Sequence, residues 1–311
     1  MSMNKQWFFF FIFCICCTKT DYVTSNGNLY LEFCHNSFST ESTLSILSFN
    51  RLQGTSINGV SQVIEATNPD VIGLQESYDL GIEIADRFNY CFYGSKDNST
   101  AILSRYPIEL VNDLYCKVVL GSNYYINFFN LHLPAYPYQP YDIRDTLITT
   151  EAQAVHQAEQ ARGIYVTEIV QSIDEIDDNM PIIVTGDFNE PSHLDWIQGA
   201  DNPSQFQFNS DSSQFIVNWP ASNKMYNAGL RDAYRELFSD PIDTPGYTWT
   251  PNYGVNEIHD RIDFIYYNNQ IDLSDVFLVG PDNNCDIIVN DFESDHRGVF
   301  AIFNISRSCC F

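Results

Sequence analysis

The sequence predicts an α/β protein, one domain in which two sheets pack together with helices outside. Short blocks rich in aromatic and β-branched residues alternate with helical patterns in both halves of the chain. No linker rich in proline, glycine or serine divides it, and 311 residues are enough for one large core. Hydrophobic residues make up 44% and aromatics 15%, so the composition is globular.

The elements follow in order. Residues 1–17 read as a signal peptide: Lys5 precedes an unbroken apolar run from Trp7 to Cys17. The run is too short to span a bilayer, so a signal anchor is the weaker reading. Residues 18–42 are polar and turn-rich, a lead-in to the domain expected over 43–304, and 305–311 form a cysteine-containing tail. Residues 44–49 make a strand. A helix over 56–67 places Val60, Val63 and Ile64 on one face, and Asn68-Pro69 stops it. A buried strand at 71–74 ends at Gln75-Glu76, and 80–88 form a second helix. Strands are expected at 90–93, 100–103, 111–119 and 124–131. "PAYPYQPY" over 134–141 has the prolines of a loop. A long helix over 145–173 repeats Val155, Ala158, Ala161, Tyr165, Ile169 and Ile173 at three- and four-residue steps. It leads into a strand beginning near Pro181. Residues 203–225 read as irregular and 230–237 as a short helix, and strands at 262–267, 274–279 and 297–303 close the chain.

Composition narrows the partners. Net charge is −25, from 40 acidic and 15 basic residues, and no basic stripe suited to a polyanion is visible. A cation in a cleft can still invert the local field, so acidity does not exclude a phosphate-bearing substrate. Beyond the leader, Cys34, Cys91, Cys116, Cys285, Cys309 and Cys310 form an even set that suggests disulfides with the pairing open. None has zinc-site spacing. Sequons at Asn98 and Asn304 fit export.

Polar residues gather at strand ends. Asn50 follows the first strand, Glu76 the second and His132 the strand over 124–131. Asp187 and Asn189 follow the strand over 182–185, Asp263 sits in the next block, and Asp295 and His296 precede the last strand. Each alone is explained by a turn, a cap or a structural histidine. Together they have a shared context. "LSFNRLQG" (47–54), "NPDVIGLQES" (68–77), "AILSRYPI" (101–108), "NLHL" (130–133), "GDFNEPSH" (186–193), "DRIDFIYY" (260–267) and "SDHRGVFAIF" (294–303) occur in that order. The set resembles the ordered motifs of the endonuclease/exonuclease/phosphatase superfamily, the deoxyribonuclease I-like proteins, over residues 43–303.

That resemblance implies a four-layer α-β-β-α sandwich of two packed mixed sheets, and a divalent-metal phosphoesterase. It implies Glu76 as the main metal carboxylate, with Asn50 and Asp295 as supporting oxygen ligands. Mg²⁺ is the first expectation, with Mn²⁺ or Ca²⁺ possible. Asp187 matches the base that orients and deprotonates the attacking water, and Asn189 a donor to the phosphate or nucleophile. His296 matches the histidine on a non-bridging phosphate oxygen and Asp263 its carboxylate partner. His132 matches a second histidine, at the leaving group or the phosphate. His193, just past the core motif, reads as a helix cap and His259 as a residue flanking the cleft; Asp260 competes with Asp263 for the imidazole, with the spacing before residues 264–267 favouring Asp263, and Arg105 reads as a surface ion pair.

The acidic balance and Tyr136, Tyr138 and Tyr141 favour a small-molecule or lipid-headgroup phosphoester as substrate, ordinary loop packing being the simpler reading of the tyrosines. An extracellular nuclease acting on nucleic acid is the alternative, and a non-catalytic binding protein of the same fold is a third. No obligate protein partner is implied. A secreted monomer is expected.

Overall fold

Leu44, Ile46, Leu47 and Phe49 are all buried, so their strand is covered on both faces, as a strand between two other layers must be. The computed structural model describes residues 41–94, 99–200, 216–252, 254 and 257–305, with the backbone also of 21–23 and 30–32. The elements are β1 (Asp21–Val23), β2 (Tyr30–Glu32), β3 (Thr43–Asn50), α1 (Ile57–Thr67), β4 (Val71–Gln75), α2 (Tyr78–Phe88), β5 (Cys91–Gly94), β6 (Thr100–Ser104), β7 (Ile108–Leu110), β8 (Tyr115–Gly121), β9 (Tyr124–His132), α3 (Gln139–Arg144), α4 (Glu151–Asp174), β10 (Ile182–Asp187), α5 (Pro220–Asn227), β11 (Arg231–Asp232), α6 (Ala233–Leu237), β12 (Asp263–Tyr267), β13 (Asp272–Gly280), β14 (Ile287–Ile288) and β15 (Gly298–Asn304).

Among the described residues, one sheet runs β1-β2-β5-β6-β4-β3-β15-β13-β14 and the other β11-β12-β10-β9-β8-β7. Both are mixed: β3 runs parallel to β4 and β9 parallel to β10, while β15 is antiparallel to β3 and β12 to β10. Between the sheets, Leu44, Ile46 and Val299 share a core with Phe128, Ile183 and Ile265. Outside the first sheet, Val60, Ile64 and Ile84 of α1 and α2 pack on Leu47, Ile72 and Leu74. Outside the second, Val166, Ile169 and Met225 of α4 and α5 pack on Phe129, Val184 and Phe264. The architecture is the four-layer α-β-β-α sandwich expected from the motifs.

Local chemistry sets the helix ends. Ser56 caps α1 by accepting from the Gly59 N–H, and Asn68 closes it in the left-handed region. Thr150 caps α4 in the same way through Gln153. Several sequence expectations need correction. The lead-in contributes β1 and β2, which extend the first sheet's edge through β5. The strand expected over 111–119 is a hairpin, with β7 and β8 separated by a turn in which the Asn112 side chain accepts from the N–H groups of Leu114 and Tyr115. The loop over 134–141 runs into α3, and the stretch before 225 contains α5. Both helices begin with proline in their first turn, where its missing N–H costs nothing. The buried face of α4 is Ala154, Ala158, Arg162, Val166, Ile169 and Ile173, so Tyr165 lies outside.

Cys116 and Cys285 are free, buried thiols, so the expected cysteine set does not pair throughout. Cys34, Cys309, Cys310, the signal peptide and the tail from residue 306 onward lie outside the described residues.

Polar bonds tie the sheets together beneath the site. Asn130 of β9 donates to the carbonyls of Leu74 and Ala101 in the facing sheet, and its carbonyl accepts from Gln75 and Thr185. Gly73 makes this approach possible: a Cβ there would lie 1.9 Å from Thr185 Oγ1 and 2.7 Å from Asn130 Oδ1. Overpacking a core costs roughly 1–3 kcal/mol. Gly73→Ala should therefore lower stability by about 2 kcal/mol or more, read as a reduced urea midpoint with an unchanged slope. An unshifted midpoint would show that the sheets separate there freely.

Candidate active site

The strand register builds the site. Asp187, the last residue of β10, lies opposite His132 of β9 on one side and Asp263 of β12 on the other. Three adjacent strands thus bring these side chains to one rim of the second sheet. In the first sheet Asn50 ends β3 level with Gln75 of β4, and Glu76 follows. Asp295 and His296 lead into β15, the other neighbour of β3. The structure brings all eight sequence-derived residues to this one end of the sandwich.

Asp187 is 1% exposed and densely held. Its Oδ1 accepts from the Asn189 N–H at 2.8 Å, and its Oδ2 from Asn50 Nδ2 at 2.9 Å and Asn189 Nδ2 at 3.3 Å. The Nε2 atoms of His132 and His296 lie 3.7 and 3.8 Å from the same Oδ2. These separations exceed a hydrogen bond, so the two rings converge on the carboxylate without capturing it. Asn189 sits at φ 48° and gives its second amide proton to the Leu133 carbonyl at 3.0 Å. Both its amide protons are engaged. Here Asn189 aims Asp187 and fixes the turn, and its expected role as a donor to phosphate requires one of those bonds to yield.

His296 Nδ1 lies 2.9 Å from Asp263 Oδ2. Asp263 is in turn held by its own N–H on Thr248 Oγ1. Burial alone would lower the His296 pKa, but the carboxylates of Asp263, Asp187 and Asp295 reverse this and lift it to about 10. Burial raises the Asp263 carboxyl as well. The pair holds one proton, and three carboxylates around the ring place it on the imidazole. His296 is therefore cationic at neutral pH and turns Nε2 toward the cleft.

Asp187, Asp263 and His296 offer atoms within 4.8 Å of one another, close enough to suggest a cation among them. A protonated imidazole bonded to its carboxylate has no lone pair to offer. Glu76 and Asp295 fit a cation better. Both line the cleft, and Asp295 Oδ1 is buried without a hydrogen-bond partner. Burial raises the Asp295 carboxyl, and Glu76 and Asp187 add to the rise. Facing carboxylates with an unpartnered oxygen are the donor set a hard divalent ion takes. Glu76 stands at φ 53° and accepts from the Gln53 N–H, so it does not cap α2. Asn50 Oδ1 accepts from the Leu52 N–H, leaving its second lone pair for a cation.

Several neighbours were invisible to sequence reasoning. Ser294 donates to the Asn50 carbonyl and accepts from the His296 N–H, joining two strand ends. Trp249 packs against His296 with ring centroids 4.8 Å apart. Arg162, fully buried in α4, donates to the carbonyls of Ala135 and Pro137 and to the Gln139 side chain, fixing the proline-rich loop. Glu190 lies 3.8 Å from it. Burial, against the pull of Arg162, lifts the Glu190 carboxyl to about 7. Ser294 and Glu190 lie inside the ordered motifs, whose residues do not show these contacts, and Trp249 and Arg162 lie outside every one of those motifs. The tyrosines of the loop divide: Tyr138 is buried, Tyr136 is 76% exposed, and with Tyr141 they form one wall of a cleft of about 190 Å³.

The secondary candidates resolve by geometry. Asp260 accepts from Tyr138 Oη and Trp196 Nε1 and leaves the imidazole to Asp263. His193 bonds Ser222, and His259 faces the Thr250 carbonyl. Arg105 bonds the Pro69 carbonyl and Asn68 and lies 3.8 Å from Asp70, so it is structural.

Two mixed sheets between helices, with an aspartate, an Asp–His pair and facing carboxylates at one rim, have the architecture of deoxyribonuclease I-like phosphoester hydrolases. The chain belongs to the Endonuclease/Exonuclease/phosphatase family, whose model matches residues 47–296. It is 27% identical over 299 residues to an uncharacterized Caenorhabditis elegans protein, F14F9.5, covering 85% of this chain and 92% of that one. Among solved structures it is similar to truncated Caenorhabditis elegans TDP2, with a TM-score of 0.53, 19% identity, and 85% and 98% of the two chains covered. It is also similar to an AP endonuclease from Archaeoglobus fulgidus, with a TM-score of 0.52, 18% identity, and 84% and 100% covered. Membership places the chain in a class of hydrolases that act on phosphoester bonds.

Proposed function

We propose that the protein is an exported, divalent-metal-dependent phosphoesterase that directs water in line at the phosphorus of a small or lipid-derived ester. The observation that carries this reading is the Asp187 carboxylate, fixed by Asn50 and Asn189 and faced by two imidazoles at 3.7 and 3.8 Å. Asp187 takes the proton of the attacking water. Asn50 and Asn189 hold the carboxylate so that its basic oxygen points into the cleft. His296, cationic through Asp263, neutralises charge on a non-bridging oxygen as it develops. His132, half-buried at the end of β9, stands on the other side of Asp187 as the group that meets the leaving oxygen. Glu76 and Asp295, with Asn50, would hold the cation, Mg²⁺ in the first instance, which would supply polarisation of the phosphoryl group.

Export rests on the apolar leader and the sequons, outside or at the edge of the described residues. The test of function is a substrate panel with Mg²⁺: bis-p-nitrophenyl phosphate, inositol phosphates, sphingomyelin, plasmid DNA and RNA. Turnover confined to small or lipid esters is the expected result. Fast polymer degradation would make the protein a nuclease, and no metal-dependent turnover of any substrate would make it a binding protein. The metal assignment has its own readout. Glu76→Gln and Asp295→Asn should each weaken Mn²⁺ binding at least tenfold by calorimetry. Wild-type affinity in both variants would place the cation elsewhere.

A further inference from the structure

The cleft has two unlike linings. Asp187, His132 and His296 supply the polar one. A wall of rings, Tyr136, Tyr138, Tyr141 and Trp249, lines the same space, with Trp249 packed on His296 at 4.8 Å and so joining the two. The hydroxyls of this wall are turned away: Tyr138 donates to Asp260 at 2.7 Å and Tyr141 to Glu257 at 2.9 Å. The rings therefore offer π faces and edges to a ligand. Donation to a carboxylate also leaves electron density on each ring and sets negative charge behind it. Tyr138 and Tyr141 meet edge to face at 5.1 Å, an arrangement that fixes both planes.

The wall is rigid. Arg162, wholly buried, grips the carbonyls of Ala135 and Pro137 on either side of Tyr136. Tyr136 is nonetheless 76% exposed among the described residues, a large aromatic lining the cleft. None of the described residues lining the cleft is a lysine or arginine. One ring already shows its preference: the Arg144 guanidinium, ion-paired with Asp145, lies 4.6 Å from the Tyr141 centroid. With His296 taken by the phosphate, the described lining offers no further cationic side chain to a second anionic group on the substrate. Rings backed by carboxylates attract the opposite charge, above all a cation too bulky and weakly hydrated to seek hydrogen bonds.

We infer that the ring wall is a subsite for a quaternary ammonium group, so that the substrate is a choline-type phosphoester, its phosphate at His296 and its trimethylammonium against Tyr136, Tyr141 and Trp249. This rests on the phosphoesterase reading above and specifies its substrate. A choline phosphoester also accounts for the modest cleft, since its head is compact.

The test compares two esters with one leaving group and nearly one shape. With Mg²⁺, p-nitrophenylphosphorylcholine should be hydrolysed with a kcat/KM about tenfold or more above that of p-nitrophenyl 3,3-dimethylbutyl phosphate, its isostere with a neutral tert-butyl head. Tyr136→Ala, at an exposed position that folding does not need, should cut that ratio several-fold, and Tyr141→Leu likewise. Tyr165→Ala, on the exposed side of α4, should leave it as in the wild type. Equal rates for the two esters, or an undiminished ratio in both cleft variants, would overturn the subsite and leave the phosphoesterase reading standing. Hydrolysis of neither ester, nor of bis-p-nitrophenyl phosphate, would overturn the phosphoesterase reading itself. Glycerophosphocholine against vesicles of phosphatidylcholine or sphingomyelin separates the two sources of this group. Turnover of either supports the subsite and assigns its source, and turnover of neither rejects it.

Discussion

Asp187→Asn should lower kcat by at least about a thousandfold while the protein still folds. The carboxylate is held by three separate donors, the Asn189 N–H and the side-chain amides of Asn50 and Asn189. Those donors fix where its oxygens point. General-base catalysis contributes roughly 10²–10⁴ in rate, about 3–5 kcal/mol of barrier. The amide isostere keeps the volume and loses the basicity. It also turns an N–H₂ toward at least one donor that had an acceptor, so a stability loss of about 1–3 kcal/mol accompanies the kinetic one. Two measurements keep these apart. Mn²⁺ binding by calorimetry should persist, because Glu76 and Asp295 are untouched, and near-UV circular dichroism should match the wild type. Full activity in a folded, metal-binding Asp187→Asn protein would remove Asp187 as the base and, with it, the mechanism.

Much of this site could be read from residues at strand ends, and the reason is physical. Where a β-strand ends, its side chains leave the packed interior and enter a rim. Asp187, His132 and Asp263 were therefore legible separately, and the β9-β10-β12 register makes them neighbours. The spacing ahead of the strand favours Asp263 over Asp260 as the partner of His296, and the structure bears this out, but the sequence does not show why. That choice depends on Trp196 and Tyr138 claiming Asp260, from positions remote in the chain. Arg162 was hidden for a different reason. A charged residue inside a helical stripe reads as a break in the pattern, which is why the apolar face of α4 was placed about Tyr165. In the fold that guanidinium is buried, because loop carbonyls and Gln139 replace its water. Pro140 and Pro220 misled in the same way: a proline that ends one helix can open another. Ser294 and Thr248 are ordinary loop residues until the strands they join are side by side.

His296→Gln should cost about 3–4 kcal/mol of transition-state stabilisation, a few hundredfold in kcat, because a fixed cation next to the phosphate becomes a neutral amide. Asp263→Asn should cost less in rate, since the imidazole and Nε2 remain while the charge on the ring becomes easier to lose. The pH dependence of stability gives an independent check in the metal-free protein, with EDTA present so that no cation competes. The folded-state pKa of His296 is raised from 6.5 to about 10 against burial, by Asp263, Asp187 and Asp295. A histidine raised in this way binds its proton more tightly when folded. Its contribution to stability is therefore whole below pH 6.5 and declines as pH rises toward 10. Urea unfolding of the wild type should show that decline, and His296→Gln, having no proton to lose, should show a shallower slope across the same range. In Asp263→Asn the decline should finish at lower pH, because the nearest carboxylate no longer holds the proton on the ring. If wild type and His296→Gln lose stability in parallel between pH 6.5 and 10, the imidazole is not the cation this mechanism requires. The phosphate would then have to be met by some other group in the cleft.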